Sequence, residues 1–156
     1  MFKHAEFSPC RHYRYALYRR WDESLPVVCF IGLNPSTADE QLDDPTLRRT
    51  MDFARRWGYG GVANGNLFAY RATDPTVMKA AADPVGPDND EWLQRLCGQA
   101  GLVIAAWGNH GAFQERSARV RSTLGPLHVL KLNRSGEPAH PLYQPAHRQA
   151  QRWHFR

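Results

Sequence analysis

The sequence predicts an α/β fold, a three-layer α/β/α sandwich around a mainly parallel central sheet, formed as one domain over residues 1–156. Two observations lead there. The runs Val27–Ile31 and Leu102–Trp107 are apolar without polar alternation, which suits strands buried on both faces. Between and after them lie segments with a single apolar stripe, so strand and helix patterns alternate along the chain, as in parallel strands joined by crossover helices. The length agrees, since 156 residues fill one domain with a sizeable core and are short for two.

In chain order, Tyr13–Trp21 alternates aromatic or apolar residues with others (Tyr13, Tyr15, Leu17 against Arg14, Ala16, Tyr18), the period of a strand with one buried face at a sheet edge. Val27–Ile31 is the central strand. Gly32 ends it, and Leu33–Asn34–Pro35–Ser36–Thr37 forms a turn with helix-capping residues at the edge where open α/β sheets bind ligands. Gly32 permits close approach of a ligand, and the amides after Pro35 are placed to cradle an anion; an ordinary strand-to-helix turn would read the same way. The acidic stretch Thr37–Asp44 is short for a helix, so a helix is expected from Thr46 to Trp57, with Asp44 as its cap and Pro45 at its first position. Val62–Tyr70 reads as a second strand, running into the polar turn Arg71–Pro75. Short helices fit Thr76–Ala82 and Asn89–Ala100. Leu102–Trp107 is the third strand, Ala112–Leu124 a basic helix and Leu127–Leu132 the fourth strand, while the polar tail Gln144–Arg156 has room for a short helix. Each strand end then delivers polar residues to one rim: Asn34 and Ser36, Asn66, Arg71 and Asp74, Asn109 and His110, Asn133 and His140.

A net charge of +5 and a pI near 9.4, carried mostly by arginine, point to nucleic acid or a phosphorylated ligand, or simply to a basic solvated surface. Three dispersed cysteines contain no CxxC pair, and the histidines show neither HxxxH nor HExxH spacing, so neither a metal site nor another cofactor is expected. Cysteine usage without a disulfide framework fits a reducing cytoplasm. The amino-terminal residues lack a secretory h-region, and no apolar run reaches membrane-spanning length. A monomer is expected, without membrane association.

The segments YRYALYRRW, FIGLNPSTAD, DDPTLRR, WGYGGVANGNLFAYRATDP, GPDND, VIAAWGNHG and GEPAHPLY, spread over nearly all of Ser8–Tyr143, together resemble a family of small bacterial proteins known as a domain of unknown function. More distantly, the order of motifs is similar to the uracil-DNA glycosylase superfamily. Its members carry a G-x-[D/N/E/A]-P motif after the first core strand, a polar segment after the second, an apolar strand ending in glycine, and an H-P-S or N-P-S loop near the end. Gly32–Ser36, Asn66–Pro75, Val103–Gly108 and His140–Leu142 stand in those places, with Leu142 where the superfamily has serine and without the cysteines of its iron–sulfur branches.

The resemblance implies a glycosylase-like fold and hydrolysis of the N-glycosidic bond of an altered or modified base in DNA, with removal of modified bases from foreign (phage) DNA, an antiviral defence, as one use. By the same resemblance Asn34 holds the attacking water and His140 contacts the departing base or a phosphate. Asp39, Asp43 and Asp44 are the nearby carboxylates that could deprotonate the water, and Asp44 is the catalytic choice, although Asp43 and Asp44 also suit helix capping. Substrate binding is assigned to Gly32, Leu33, Pro35, Ser36, Asn66, Tyr70, Arg71, Asn109, Pro141 and Tyr143, with Tyr70 and Tyr143 as stacking platforms, whereas Phe68 and Trp107 read as core. Arg48, Arg49 and Arg134 are the expected phosphate contacts, or else solvated charges. Two other functions fit the same residues: a non-catalytic nucleic-acid-binding module, and a hydrolase of small nucleosides or nucleotides using the turn as a phosphate cradle.

Overall fold

The structure, a computed structural model, describes residues 1–155. Among them, strands form at Phe2–Phe7 (β1), Arg14–Arg20 (β2), Val27–Gly32 (β3), Gly61–Asn66 (β4), Leu102–Ala105 (β5), His128–Val129 (β6) and Gln151–Arg152 (β7). Helices occupy Pro45–Arg56 (α1), Pro75–Ala80 (α2), Asn89–Gln99 (α3) and Arg116–Thr123 (α4). The strands make one sheet in the order β1-β2-β4-β3-β5-β6-β7. The fold is α/β, but its sheet is mixed rather than mainly parallel. β4, β3, β5 and β6 run parallel, and antiparallel pairs flank them at both ends. No helix among the described residues is long and apolar enough to cross a membrane.

The apolar run of β3 behaves as its composition requires, because alternate side chains enter two different cores. Val28 and Phe30 pack with Leu47, Met51, Phe53 and Ala54 of α1. Cys29 and Ile31 pack on the opposite face with Leu93 and Leu96 of α3 and Val120 of α4. Helix α1 starts as expected: Asp44 is extended, its Oδ1 accepts from the Leu47 amide at 2.8 Å, and Pro45 follows where no intrahelical donor is needed. Gly58, at φ +82°, closes the helix end in the left-handed region.

Several expectations need correction. Phe2–Phe7 forms an edge strand that carries no clear alternation. The second predicted strand stops at Asn66 instead of Tyr70, and the third at Ala105 instead of Trp107, because after single bonds from Leu67 and Ala106 to β3 the segments diverge and bond to loops, Phe68 N to Leu33 O and Gly108 N to Pro138 O. The helix expected from Ala112 begins at Arg116. Residues 109–115 form tight 3-10 turns broken at Phe113 and Gln114, whose backbone leaves the helical region. The fourth strand is two residues long, and the tail supplies β7 where room for a helix was seen.

The acidic segment ahead of α1 is tied to the sheet by a fully buried arginine. Arg19 on β2 donates from Nε to Asp43 Oδ1 at 3.0 Å, from Nη1 to Tyr18 O at 2.8 Å, and from Nη2 to Asp39 O and Leu42 O at 2.6 and 3.1 Å. Replacing it by methionine strands a carboxylate and three carbonyls while keeping the bulk. Arg19→Met is therefore expected to lower unfolding free energy by about 3 kcal/mol, read by urea denaturation; a loss below about 1 kcal/mol would show that this buried pair holds nothing.

Candidate active site

Where β3, β4 and β5 end, their residues stand level: Gly32 pairs with Asn66, and Ile31 with Ala105. Gly32, Asn64, Asn66 and Ala106 continue the α1-facing rows of their strands, and there they border a cavity of about 690 Å³ between the sheet edge, the start of α1 and the loop at residues 139–144. Its size is that of sites that engulf small organic ligands. Of the residues singled out from the sequence, Gly32, Leu33, Asn34, Ser36, Asp44, Asn66, Asn109, His140, Pro141 and Tyr143 line it.

Pro35 stands just outside, its carbonyl accepting from Ala72 N at 2.9 Å. Tyr70 meets the Tyr13 ring edge-on and does not border the cavity, and Arg71 lies over Phe7 with Nη1 donating to Arg11 O at 3.2 Å. Arg48 and Arg134 are exposed away from the cavity. Arg49 acts locally, donating from Nε to Pro141 O at 3.3 Å and from Nη2 to Gln144 O, so it grips the 3-10 turn Pro141–Tyr143.

Asn34 is fixed by two carbonyls. Its Nδ2 donates to Ala72 O at 2.7 Å and to Pro35 O at 3.2 Å. Both partners are pure acceptors, so the amide orientation is set and Oδ1 is left as an acceptor. Asn66 is buried, and its Oδ1 lies 2.8 Å from where a Cβ on Gly32 would sit; only glycine at 32 lets that amide stand at the cavity wall. Asn109 is spent on neighbouring loops, its Oδ1 accepting from Asn133 Nδ2 at 3.0 Å and Ser135 Oγ at 2.6 Å.

His140 has a defined protonation pattern. The Leu142 amide donates to Nδ1 at 3.2 Å, which places the ring proton on Nε2. Burial pushes the imidazole below its ordinary value, opposed by the nearby Asp44 charge, so at neutral pH the ring is a neutral donor. The three aspartates divide by their bonds. Asp39 accepts from the Gln41 and Leu42 amides, which hold its carboxyl below the usual range, and Asp43 pairs with Arg19. Only Asp44 borders the cavity, its Oδ2 accepting from Ala38 N at 3.4 Å while Oδ1 caps α1.

Arg14, Thr50, Asn64 and Trp107 line the cavity without having been singled out for it. Asn64 stitches elements together: Oδ1 accepts from Phe30 N at 3.2 Å, and Nδ2 donates to Thr50 Oγ1 at 3.0 Å. Its place two residues before Asn66 in a strand was the available signal, since i and i+2 share a face. Arg14 carried no such signal, because it read as the solvated phase of an alternating strand. Among the described residues no group of three or more His, Cys, Asp or Glu is placed to hold a metal ion.

Residues 14–142 match a protein family of unknown function, DUF1643. The chain belongs to that family. No curated protein and no solved structure matches it. The matched span begins at Arg14 and ends at Leu142, so it contains all the strand-end residues of the cavity and both of its histidines, His110 and His140.

The hold of Arg49 on the His140 loop of this DUF1643 protein is directly testable. Arg49→Ala should leave the chain folded, cost about 1–3 kcal/mol, and speed amide exchange at Tyr143 and Gln144, whose N–H groups close that turn. Unchanged protection at those two amides would mean the turn stands without the arginine.

Proposed function

We propose that this protein is a monofunctional DNA glycosylase that hydrolyses the N-glycosidic bond of an altered or modified base, acting as a monomer in the cytoplasm. The finer fold reading goes with it: helix α1 against one face of the sheet and α3 with α4 against the other support a three-layer, uracil-DNA glycosylase-like sandwich. The observation that carries the reading is that one cavity at the strand ends holds a fixed acceptor, Asn34 Oδ1, and a neutral donor, the Nε2–H of His140.

Cleavage of the bond passes through an oxocarbenium-like sugar with negative charge growing on the base. Asn34 orients the water whose oxygen bonds to C1′. As the C1′–N bond breaks, its electron pair goes to the base, and the proton lost by water goes to the Asp44 carboxylate. The Nε2–H of His140 stabilises the charge on the departing base, a task that a neutral donor performs without surrendering a full proton. Asn66, buried at the cavity wall, reads the polar edge of the flipped base. Tyr143, 81% exposed at the mouth, offers a face for stacking, and the basic surface draws the polyanion.

The test is abasic-site formation on single- and double-stranded DNA carrying uracil, mismatched thymine, hypoxanthine, or hydroxymethylated or glucosylated cytosine. Alkali should break the strand at one of them, and Asn34→Ala should slow this about 100-fold while DNA binding persists. Absence of breaks on every substrate, with salt-sensitive DNA binding intact, would replace the enzyme by a binding module.

The pH profile offers an independent check. Since His140 titrates below its ordinary 6.5 in the folded chain, the unfolded chain takes up that proton first. The associated stability is complete above pH 6.5 and shrinks as pH falls toward the folded value. Protonation of Nδ1 sets a second N–H against the Leu142 amide and breaks the bond that orients the ring, so turnover should be level above that pH and fall in acid, and His140→Gln, a donor that does not titrate, should move the fall to lower pH. An unchanged acid limb in the variant would remove His140 from this role.

A further inference from the structure

We infer that Arg14 is the cavity's receptor for an anionic group of the substrate, a carboxylate or a phosphate; the inference deepens the glycosylase reading and rests on the same site. It starts from a β-bulge. In the β1–β2 pair Glu6 faces Ala16 and Phe7 faces Arg14, so Tyr15 is an extra residue without a partner. Tyr15 and Ala16 consequently turn to the same side, Tyr15 stacking on Trp92 of α3 and Ala16 joining the α3–α4 core. Plain alternation would send Arg14 to that side as well. The inserted residue sends it instead to the cavity side of the sheet, and bulges that re-aim one side chain are common beside functional sites.

Arg14 so placed is 6% exposed, and its guanidinium is incompletely bonded. Nη1 donates to Ala38 O at 2.8 Å, Nε has no partner, and no carboxylate among the described residues lies within ion-pair distance. The comparison within the molecule is telling. Arg19 spends its Nε, Nη1 and Nη2 on Asp43 and three carbonyls; Arg116, equally buried, uses Nε on Leu67 O and Nη2 on Asp90. Those two hold the fold together. Arg14 alone of the three borders the cavity with a donor to spare. Desolvation brings its pKa down to about 10, with Asp44 opposing, so the group stays charged at neutral pH. A buried cation without a counter-charge is satisfied by an acceptor-only ligand that can take its fork of N–H groups.

The anion has two chemical sources, a carboxylate on the base or the phosphate of the nucleotide. Binding to the purified full chain, measured by calorimetry, separates them. Compare 5-carboxyuracil with uracil, and uridine 5′-monophosphate with uridine. Wild type is expected to bind at least one anion about tenfold or more tighter than its neutral parent, and the pair that shows this names the source. Arg14→Gln should erase the preference and Arg14→Lys should retain part of it. No anionic preference in the wild type, or a preference that survives in Arg14→Gln, overturns the inference; if the glutamine variant fails to fold, an undiminished preference in Arg14→Lys overturns it equally. No bond is cut in this assay, so its failure and the absence of strand breaks are separate results.

Discussion

Parallel pairing between β3 and β4 continues past the point where both strands end. Leu67 N donates to Gly32 O at 2.9 Å, Phe68 N to Leu33 O at 2.9 Å, and Ala72 N to Pro35 O at 2.9 Å, so the turn after β3 and the segment after β4 are laced together as they diverge from the sheet. Asn34 completes the lacing with its own side chain on Ala72 O. A loop held this way loses the freedom that loops ordinarily keep. The acceptor left on Asn34 is positioned by backbone bonds and not by a rotamer preference alone, which is what the proposed orientation of a water by Asn34 requires.

Buried charge organises the other wall. Among the described residues three arginines are almost wholly enclosed, and a charge taken from water must be repaid by bonds. Arg19 and Arg116 find theirs in carbonyls and carboxylates of neighbouring segments, and in doing so they fix the acidic loop and the start of α3. The fold therefore carries its own standard for a satisfied buried guanidinium, and Arg14 departs from it at the one place where the solvent cavity reaches it.

Much of this was legible in the residues. The two-faced burial of β3, the Asp44–Pro45 start of α1 and the meeting of Asn34, Asn66, Asn109 and His140 at one edge follow from local composition and strand–helix alternation. What was hidden depends on partners distant in the chain. The bulge at Tyr15 is defined only against Glu6 and Phe7, so period-two counting put Arg14 on the wrong side. Gln151–Arg152 becomes a strand because His128–Val129 offers it an edge, not because of its own propensity. The turns at 109–115 follow a pattern that looks helical, but Phe113 leaves the helix to pack on Phe68. Asp44 stood out as the cap before Pro45, but which of Asp39, Asp43 and Asp44 reaches the cavity follows only from the fold, in which Asp39 and Asp43 are held elsewhere by Leu42 N and Arg19.

Helix α1, more than the sheet, joins the two halves of the candidate chemistry. Its cap is Asp44, which borders the cavity with one carboxylate oxygen held by the first-turn amide of Leu47. Arg49, on the next turn, reaches the carbonyls of Pro141 and Gln144 and so holds the loop whose Leu142 amide sets the His140 tautomer. Carboxylate and imidazole are thus both tied to the first turns of α1, which docks on the sheet through Leu47, Met51 and Phe53, while Asn66 ends β4 and Asn34 stands in the turn after β3. Sliding of α1 over the sheet would alter the distance from Asn34 and Asn66 to Asp44 and His140. The Asn64–Thr50 hydrogen bond, which ties α1 to β4 directly beneath the cavity, opposes that motion. A polar pair buried in an otherwise apolar seam is a costly way to pack a helix, and it is suited to fixing a register that hydrophobic contact alone would leave free to slip.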